Sequence, residues 1–248
     1  MAEVSVDTLE AQLAALEGEE SEARVDALNA LAFELPLVEV PRRLALSREA
    51  HALADRLGYT LGKARAAGLE GLAFYLRSDH EEALLCLTEA LSVFESLGAR
   101  EELFPFRGAL AGVHSSLGNY EEALTIALDN LYVLREQGDE QSVGWVLHGL
   151  SGAYLELGDV QQALDYGMEA LNLFTRLGYA IGQGRAHSSV GTALRELGRY
   201  DEAFGHHEIS LQLFREMGEP VGESRALNDL GALCQAMGDY RQALDFHS

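Results

Sequence analysis

The chain has few basic residues and almost no lysine. Lys63 is its single lysine, and 18 Lys and Arg stand against 40 Asp and Glu over 248 residues. A formal net charge of −22 leaves no broad basic face to neutralise phosphates, which argues against a dedicated nucleic-acid binder. It argues equally against docking on anionic lipid. The scarcity of lysine reads as a mark of a GC-rich bacterial genome, not as a mechanism. Cysteine is also scarce. Cys86 and Cys234 are far apart and form no CxxC pair, which excludes a disulfide framework and fits a reducing compartment. No apolar run approaches the roughly 18 residues of a membrane span. The N-terminal segment is acidic and amphipathic, without the basic start and apolar stretch of a secretory signal, so the expected location is the cytoplasm. A hydrophobic content of 48% can still bury a sizeable core, in one or two domains.

Catalytic signatures are missing too. There is no P-loop, no HExxH, no GxSxG and no GxGxxG placed after a strand. Gly182-Gln183-Gly184 opens a helical stretch and is not expected to hold phosphate. Paired carboxylates such as Glu81-Glu82 and Glu121-Glu122 recur at helix starts, where capping and the helix dipole account for them. Two imidazoles in one repeat, His187 and His207, are expected at one helix contact and near each other. They are too few for a closed zinc site, and the recurrence of His247 at the His207 position favours packing. Both cysteines fall within helices as small hydrophobes. No enzyme activity, metal or cofactor is expected.

What the chain does have is a repeat. Gly118-Asn119-Tyr120-Glu121-Glu122-Ala123 returns as Gly158-Asp159-Val160-Gln161-Gln162-Ala163, as Gly198-Arg199-Tyr200-Asp201-Glu202-Ala203 and as Gly238-Asp239-Tyr240-Arg241-Gln242-Ala243. Ser78-Asp79-His80-Glu81-Glu82-Ala83 is an earlier copy, and the spacing is 40 residues throughout. Gly58, Gly98, Gly138, Gly178 and Gly218 mark the same period independently. Between the marks, apolar residues recur at helical spacing, as in Val146, Leu147, Leu150, Tyr154 and Leu157. Glycine after each stretch supplies a left-handed residue that closes a helix. Asp79, Asn119, Asp159 and Asp239, each followed three residues later by Glu or Gln, have the capping-box pattern. Arg199 breaks it, and a weaker cap is expected there. Pro105 and Pro220 lie near first-helix starts. Each unit therefore reads as two antiparallel helices. Gly71, Ala111, Ser151, Gly191 and Gly231 on first helices face Ala83, Ala123, Ala163, Ala203 and Ala243 on second helices, and these small residues let the helix axes come close. One pair cannot bury its apolar faces alone, so the pairs must stack.

The run Leu150-Ser151-Gly152-Ala153-Tyr154, then Gly158-Asp159-Val160 and Ala163, resembles the tetratricopeptide repeat. So does Leu230-Gly231, then Gly238-Asp239-Tyr240 and Ala243. The 40-residue period is similar to the subclass found in polarity adaptors, kinesin light chains and bacterial peptide-sensing regulators. The resemblance implies an all-α fold, a right-handed superhelical solenoid of antiparallel helix pairs. Its repeats would be 21–58, 61–98, 101–138, 141–178, 181–218 and an incomplete 221–248, preceded by an amphipathic helix within 1–20 that covers the end. The first unit departs from the pattern. Pro36 and Pro41 are expected in its turn, and Arg43 stands where later copies have Ala. Glu70 occupies an apolar position, either opening the packing or pairing with an arginine. The last copy stops about halfway through its second helix, which suggests a fragment of a longer polypeptide. By resemblance, such arrays continue into an output domain such as a diguanylate cyclase, a nucleotide cyclase, a histidine kinase or a DNA-binding domain.

The resemblance also implies a concave groove lined by first helices. The groove candidates are Arg65, Tyr75, Arg107, Trp145, His148, Arg185, Ser188, Thr192, Arg195, Arg225, Asn228 and Asp229. Arginines and Asn228 would hold carboxylates or backbone groups, and Trp145 and Tyr75 would offer apolar contact. The alternative for the same residues is a solvated wall whose arginines pair with neighbouring acids. The expected function is a non-catalytic scaffold that binds a protein or peptide, as the sensory or docking region of a larger bacterial signalling protein. The alternative is a self-association module forming a homodimer through its solenoid ends and regulating an output domain.

Charge follows the repeat. Residues 1–58 carry 12 acids and 5 bases, whereas the five later first-helix stretches carry 6 acids and 7 bases. Acidity belongs to the N-terminal unit, the second helices and the turns.

Overall fold

Helix-ending glycines and helical apolar spacing dictate a chain of helices, and the computed structural model of the protein is all-α. It describes residues 5–36, 38–99 and 102–247, without the side chain of His247. The first four residues of the predicted 1–20 segment, the first residue of the predicted 101–138 repeat, the side chain of His247 and Ser248 therefore lie outside the described residues. Among those residues there are thirteen helices and no strand.

The chain divides into two compact units, at residues 1–119 and 120–248, inside the third predicted repeat. The first unit holds α1 (Val6–Ala15), α2 (Glu22–Glu34), α3 (Val40–Leu57), α4 (Thr60–Leu76), α5 (His80–Leu97) and α6 (Leu103–Ser116). Each helix packs on the next in sequence, and the first helices α2, α4 and α6 also pack on their neighbours. Helix α1 covers the end of the stack: Ser5 caps it, and Leu9 is buried against Leu31 and Leu35.

The second unit holds α7 (Tyr120–Gln137), α8 (Glu140–Glu156), α9 (Val160–Leu177), α10 (Ala180–Glu196), α11 (Tyr200–Met217), α12 (Pro220–Met237) and α13 (Tyr240–His247). It is built by the same rule, with α10 packed on both α8 and α12.

Packing follows the repeat register. Phe94, Leu134, Phe174 and Phe214 share one position of the 40-residue period and are all buried. Each such side chain contributes about 1.5–3 kcal/mol through apolar burial. Ala83, Ala163 and Ala203 are fully buried at the intra-pair contacts. Opposite them, Ser151 Oγ donates to the Ala163 carbonyl at 2.7 Å.

Helix ends show where local signals hold. Gly58, Gly98, Gly178 and Gly218 are left-handed C-caps. Asp159 and Asp239 accept the expected N–H bonds from Gln162 and Gln242, at 3.2 and 3.0 Å. Arg199 provides no cap and instead pairs with Glu202. Asp79 departs from expectation: its carboxylate pairs with Arg77 and caps nothing.

Two readings are corrected, at Pro41 and Glu70, and the departure at Arg43 finds its physical reason. Pro41 is not in the turn but in the first turn of α3, where a missing N–H has no consequence. Arg43 is buried at 1% exposure, and its guanidinium donates to the carbonyls of Ala32 and Leu35 at the end of α2. A cation there satisfies orphan carbonyls and meets the negative end of the helix dipole. Glu70 pairs with His51 Nδ1 at 2.9 Å, not with an arginine.

Candidate functional site

The candidate groove residues fall into the two units, and the units treat them differently. In the first unit, Arg65 projects from α4 between two acids. It meets Asp26 Oδ1 of α2 at 3.0 Å and Glu102 Oε1 at 2.5 Å. The hydrogen bond to Glu102 raises the Arg65 pKa despite burial. Arg107 pairs with Glu95 at 3.1 Å. The Tyr75 ring lies against Gly112, where a Cβ would stand 2.5 Å from its hydroxyl oxygen. The charge of both arginines is thus met within the chain. The partners of Arg65 lie 39 and 37 residues away, about one repeat in each direction. Acids at that offset on neighbouring first helices were the signal that sequence reading passed over.

In the second unit the remaining candidates gather on α8, α10 and α12. Trp145 lies edge-on to Phe174 and Tyr179, with centroids at 5.3 and 6.0 Å, and beside His148 at 5.9 Å. Its ring is therefore part of an aromatic cluster. His148 Nδ1 is 3.0 Å from Ser189 Oγ, a partner the repeat rows missed by one residue. Ser188 Oγ donates to Asp229, and Thr192 Oγ1 donates to the Ser188 carbonyl at 3.0 Å. Arg195 pairs with Glu196 at 2.9 Å. Asn228 is exposed.

Arg185 and Arg225 differ from the other candidate arginines. Neither makes an ion pair or side-chain hydrogen bond among the described residues. Both line one small cleft with His148, Ser189 and Gly222. Burial and the like charge of Arg225 lower the Arg185 pKa. Burial, then Arg185 and Arg225, push the His148 imidazole down to about 4. A neutral imidazole, a hydroxyl and two guanidiniums that make no ion pair among the described residues form a site suited to an anionic oxygen group. The Glu219 carboxylate, held by the Gly222 N–H beside them, partly offsets the lowering of the Arg185 pKa. Burial raises the Asp229 pKa, against the hydrogen bond from Ser188.

Other histidines sit behind this face. His187 approaches His206, with Nδ1 atoms 3.0 Å apart, and not His207 as expected. His207 is fully buried and packs against Gly191, and neither of its ring nitrogens is hydrogen-bonded. The reason is helical geometry: positions 206 and 207 point about 100° apart, and only 206 faces 187. Glycines 182 and 184 serve packing. A Cβ there would stand 2.5 Å from the Phe174 ring and 2.9 Å from the Phe214 ring. Cys234 is buried and Cys86 partly so, both as free thiols. Among the described residues no group of three or more His, Cys, Asp or Glu is placed to hold a metal ion, and no helix is long and apolar enough to cross a membrane.

A family model described as tetratricopeptide repeat matches residues 106–176 and 183–248. No curated protein matches the sequence. Among solved structures, BtubC (BKLC) of P. vanneervenii is 22% identical with a TM-score of 0.66, over 84% of this chain and 88% of that one. A signal transduction ATPase with numerous domains and a tetratricopeptide repeat sensor, from Pyrococcus horikoshii, is 20% identical with a TM-score of 0.74. The match covers 97% of this chain and 37% of that one. A Rap protein complexed with Competence and Sporulation Factor is 17% identical with a TM-score of 0.73, over 97% and 72% of the two chains. Likeness at these identities concerns the fold.

Proposed function

The chain belongs to the tetratricopeptide repeat family, and from that premise we propose that it is a non-catalytic scaffold binding an acidic or C-terminal carboxylate segment of a protein or peptide on its first-helix face. The observation that carries this reading is the Arg185–Arg225 pair. Two guanidiniums on successive first helices share a cleft, and neither makes an ion pair among the described residues. A carboxylate seated between them would meet both guanidiniums at once, Arg185 half-buried and Arg225 exposed. His148 and Ser189 complete the polar wall, and Asn228 offers an exposed amide. In this reading Trp145 stiffens the site, and Arg65, Arg107 and Arg195 hold the fold.

The role within a cell is proposed as the sensory or docking region of a bacterial signalling protein in the cytoplasm. The repeats of the Pyrococcus neighbour are described as a sensor, and the Rap neighbour is complexed with a factor. The test is a titration of the full chain with an acidic peptide ending in a free carboxylate. Replacing Arg185 and Arg225 together by Gln is expected to weaken binding about tenfold or more, with an unchanged melting temperature. Binding that survives the double change, or prefers the amidated peptide, would sink the assignment. A self-association module remains the second reading, and light scattering across a concentration series separates it from the first.

A further inference from the structure

A half-open cavity of about 410 Å³ lies in the first unit, lined by residues of α1, α2, α4 and α6 and by Glu102. It falls within the roughly 300–1,000 Å³ range of small-ligand sites. Its floor is apolar: Leu69 and Phe106 are buried, and Phe33 stands 46% exposed at the edge. Its rim is acidic. Asp26, Glu34 and Glu102 line it against one guanidinium, Arg65, whose ion pairs among the described residues are with Asp26 and Glu102. Glu34 has no ion-pair partner among the described residues. Asn29, 4% exposed in the same wall, donates to the Gly62 carbonyl but leaves its Oδ1 without a donor. The site combines apolar volume, an unneutralised carboxylate and an unused acceptor, within a chain of net charge −22. It is the inverse of the cleft around Arg185 and Arg225.

We infer that this cavity binds a peptide segment in which a large apolar side chain adjoins an arginine or lysine, the apolar group entering against Leu69, Phe33 and Phe106 and the cation meeting Glu34. The volume accommodates one large side chain with its adjoining backbone. Attraction of a cation to the acidic rim gives both orientation and selection against acidic segments. The inference rests on the reading of first-helix faces as peptide-binding. Its partner chemistry and its residues are separate from those at Arg185 and Arg225, so either site can fail alone.

The probe is the N-acetylated, C-amidated dipeptide Phe-Arg, titrated into the isotope-labelled full chain and followed by amide chemical shifts. The expected result is saturable shifts centred on Ala30, Leu69 and Phe106. Phe-Glu and Gly-Arg, blocked in the same way, are expected to bind about tenfold more weakly. Glu34→Lys, an exposed change, should weaken Phe-Arg about fivefold or more while the melting temperature holds. Phe33→Ala gives a second, uncharged check and should weaken Phe-Arg without altering the preference over Phe-Glu. Equal shifts for Phe-Arg and Phe-Glu, shifts centred elsewhere, no saturable shift, or indifference to Glu34→Lys each overturn the inference. Concentration-dependent broadening of the same amides without peptide would overturn it in favour of a second copy of the chain.

Discussion

Ser78 has φ +64°, a left-handed conformation that its repeat-mates Gly118, Gly158, Gly198 and Gly238 adopt without a Cβ. The helix end at α4 requires that conformation whatever residue occupies it, and a side chain there costs about 1–2 kcal/mol. Ser78→Gly is therefore expected to raise stability by about 1 kcal/mol, after the extra backbone freedom of glycine in the unfolded chain is subtracted. Chemical denaturation checks this, and no gain would mean that the serine makes good its own strain. Arg43 shows a different residue-scale principle. A cation that breaks a repeat pattern is accommodated by buried carbonyls at the end of the preceding helix, and burial lowers its pKa.

At the scale of elements, the contact between α10 and α11 depends on Gly191. A Cβ at this position would stand 2.6 Å from the buried His207 ring, a distance no packing tolerates. The ring is closed in on all sides, so it cannot yield cheaply. Gly191→Ala should cost about 1–3 kcal/mol. In a His207→Ala background the same change should cost far less, because the clash is gone. Equal costs in the two backgrounds would show that the glycine is needed for something other than this contact. The capping boxes belong to this scale as well. Identical Asp-x-x-Glu/Gln patterns precede α5, α9 and α13, yet only the latter two caps form a bond, because Arg77 competes for Asp79.

At the scale of the whole molecule, charge and protonation are unevenly placed. His148, His187 and His207 all lie in the second unit, and burial holds each near pKa 4. Unfolding returns them to about 6.5. The unfolded chain then binds more protons between those values, so stability falls as pH drops from about 6.5 towards 4. For His207, which is fully buried, the loss approaches about 3 kcal/mol at the acid limit. Asp229 Oδ2 lies 3.8 Å from His207 Nδ1 and has a raised pKa, so it offsets part of this once the pH reaches the carboxylate range. Amide exchange at pH 4.5 and 7 should show the second unit losing more protection than the first. Equal loss in both units would refute the histidine account.

Sequence by itself determined the period, the helix ends, the small residues at intra-pair contacts and the concentration of acidity away from first helices. These rest on interactions within a turn or two of helix, which composition and spacing encode directly. Tertiary structure alone decided which arginines carry free charge. Arg65 and Arg185 occupy the same repeat position, but among the described residues only Arg65 of the two forms ion pairs, with Asp26 of α2 and with Glu102 just before α6. It also decided that His187 meets His206, that Arg43 closes α2, and that Phe33 and Leu69 share a cavity rimmed by Glu34. Each of these depends on side chains from helices many residues apart meeting within a few ångströms. Such distances follow from the stacking of helices on one another, which local spacing does not specify.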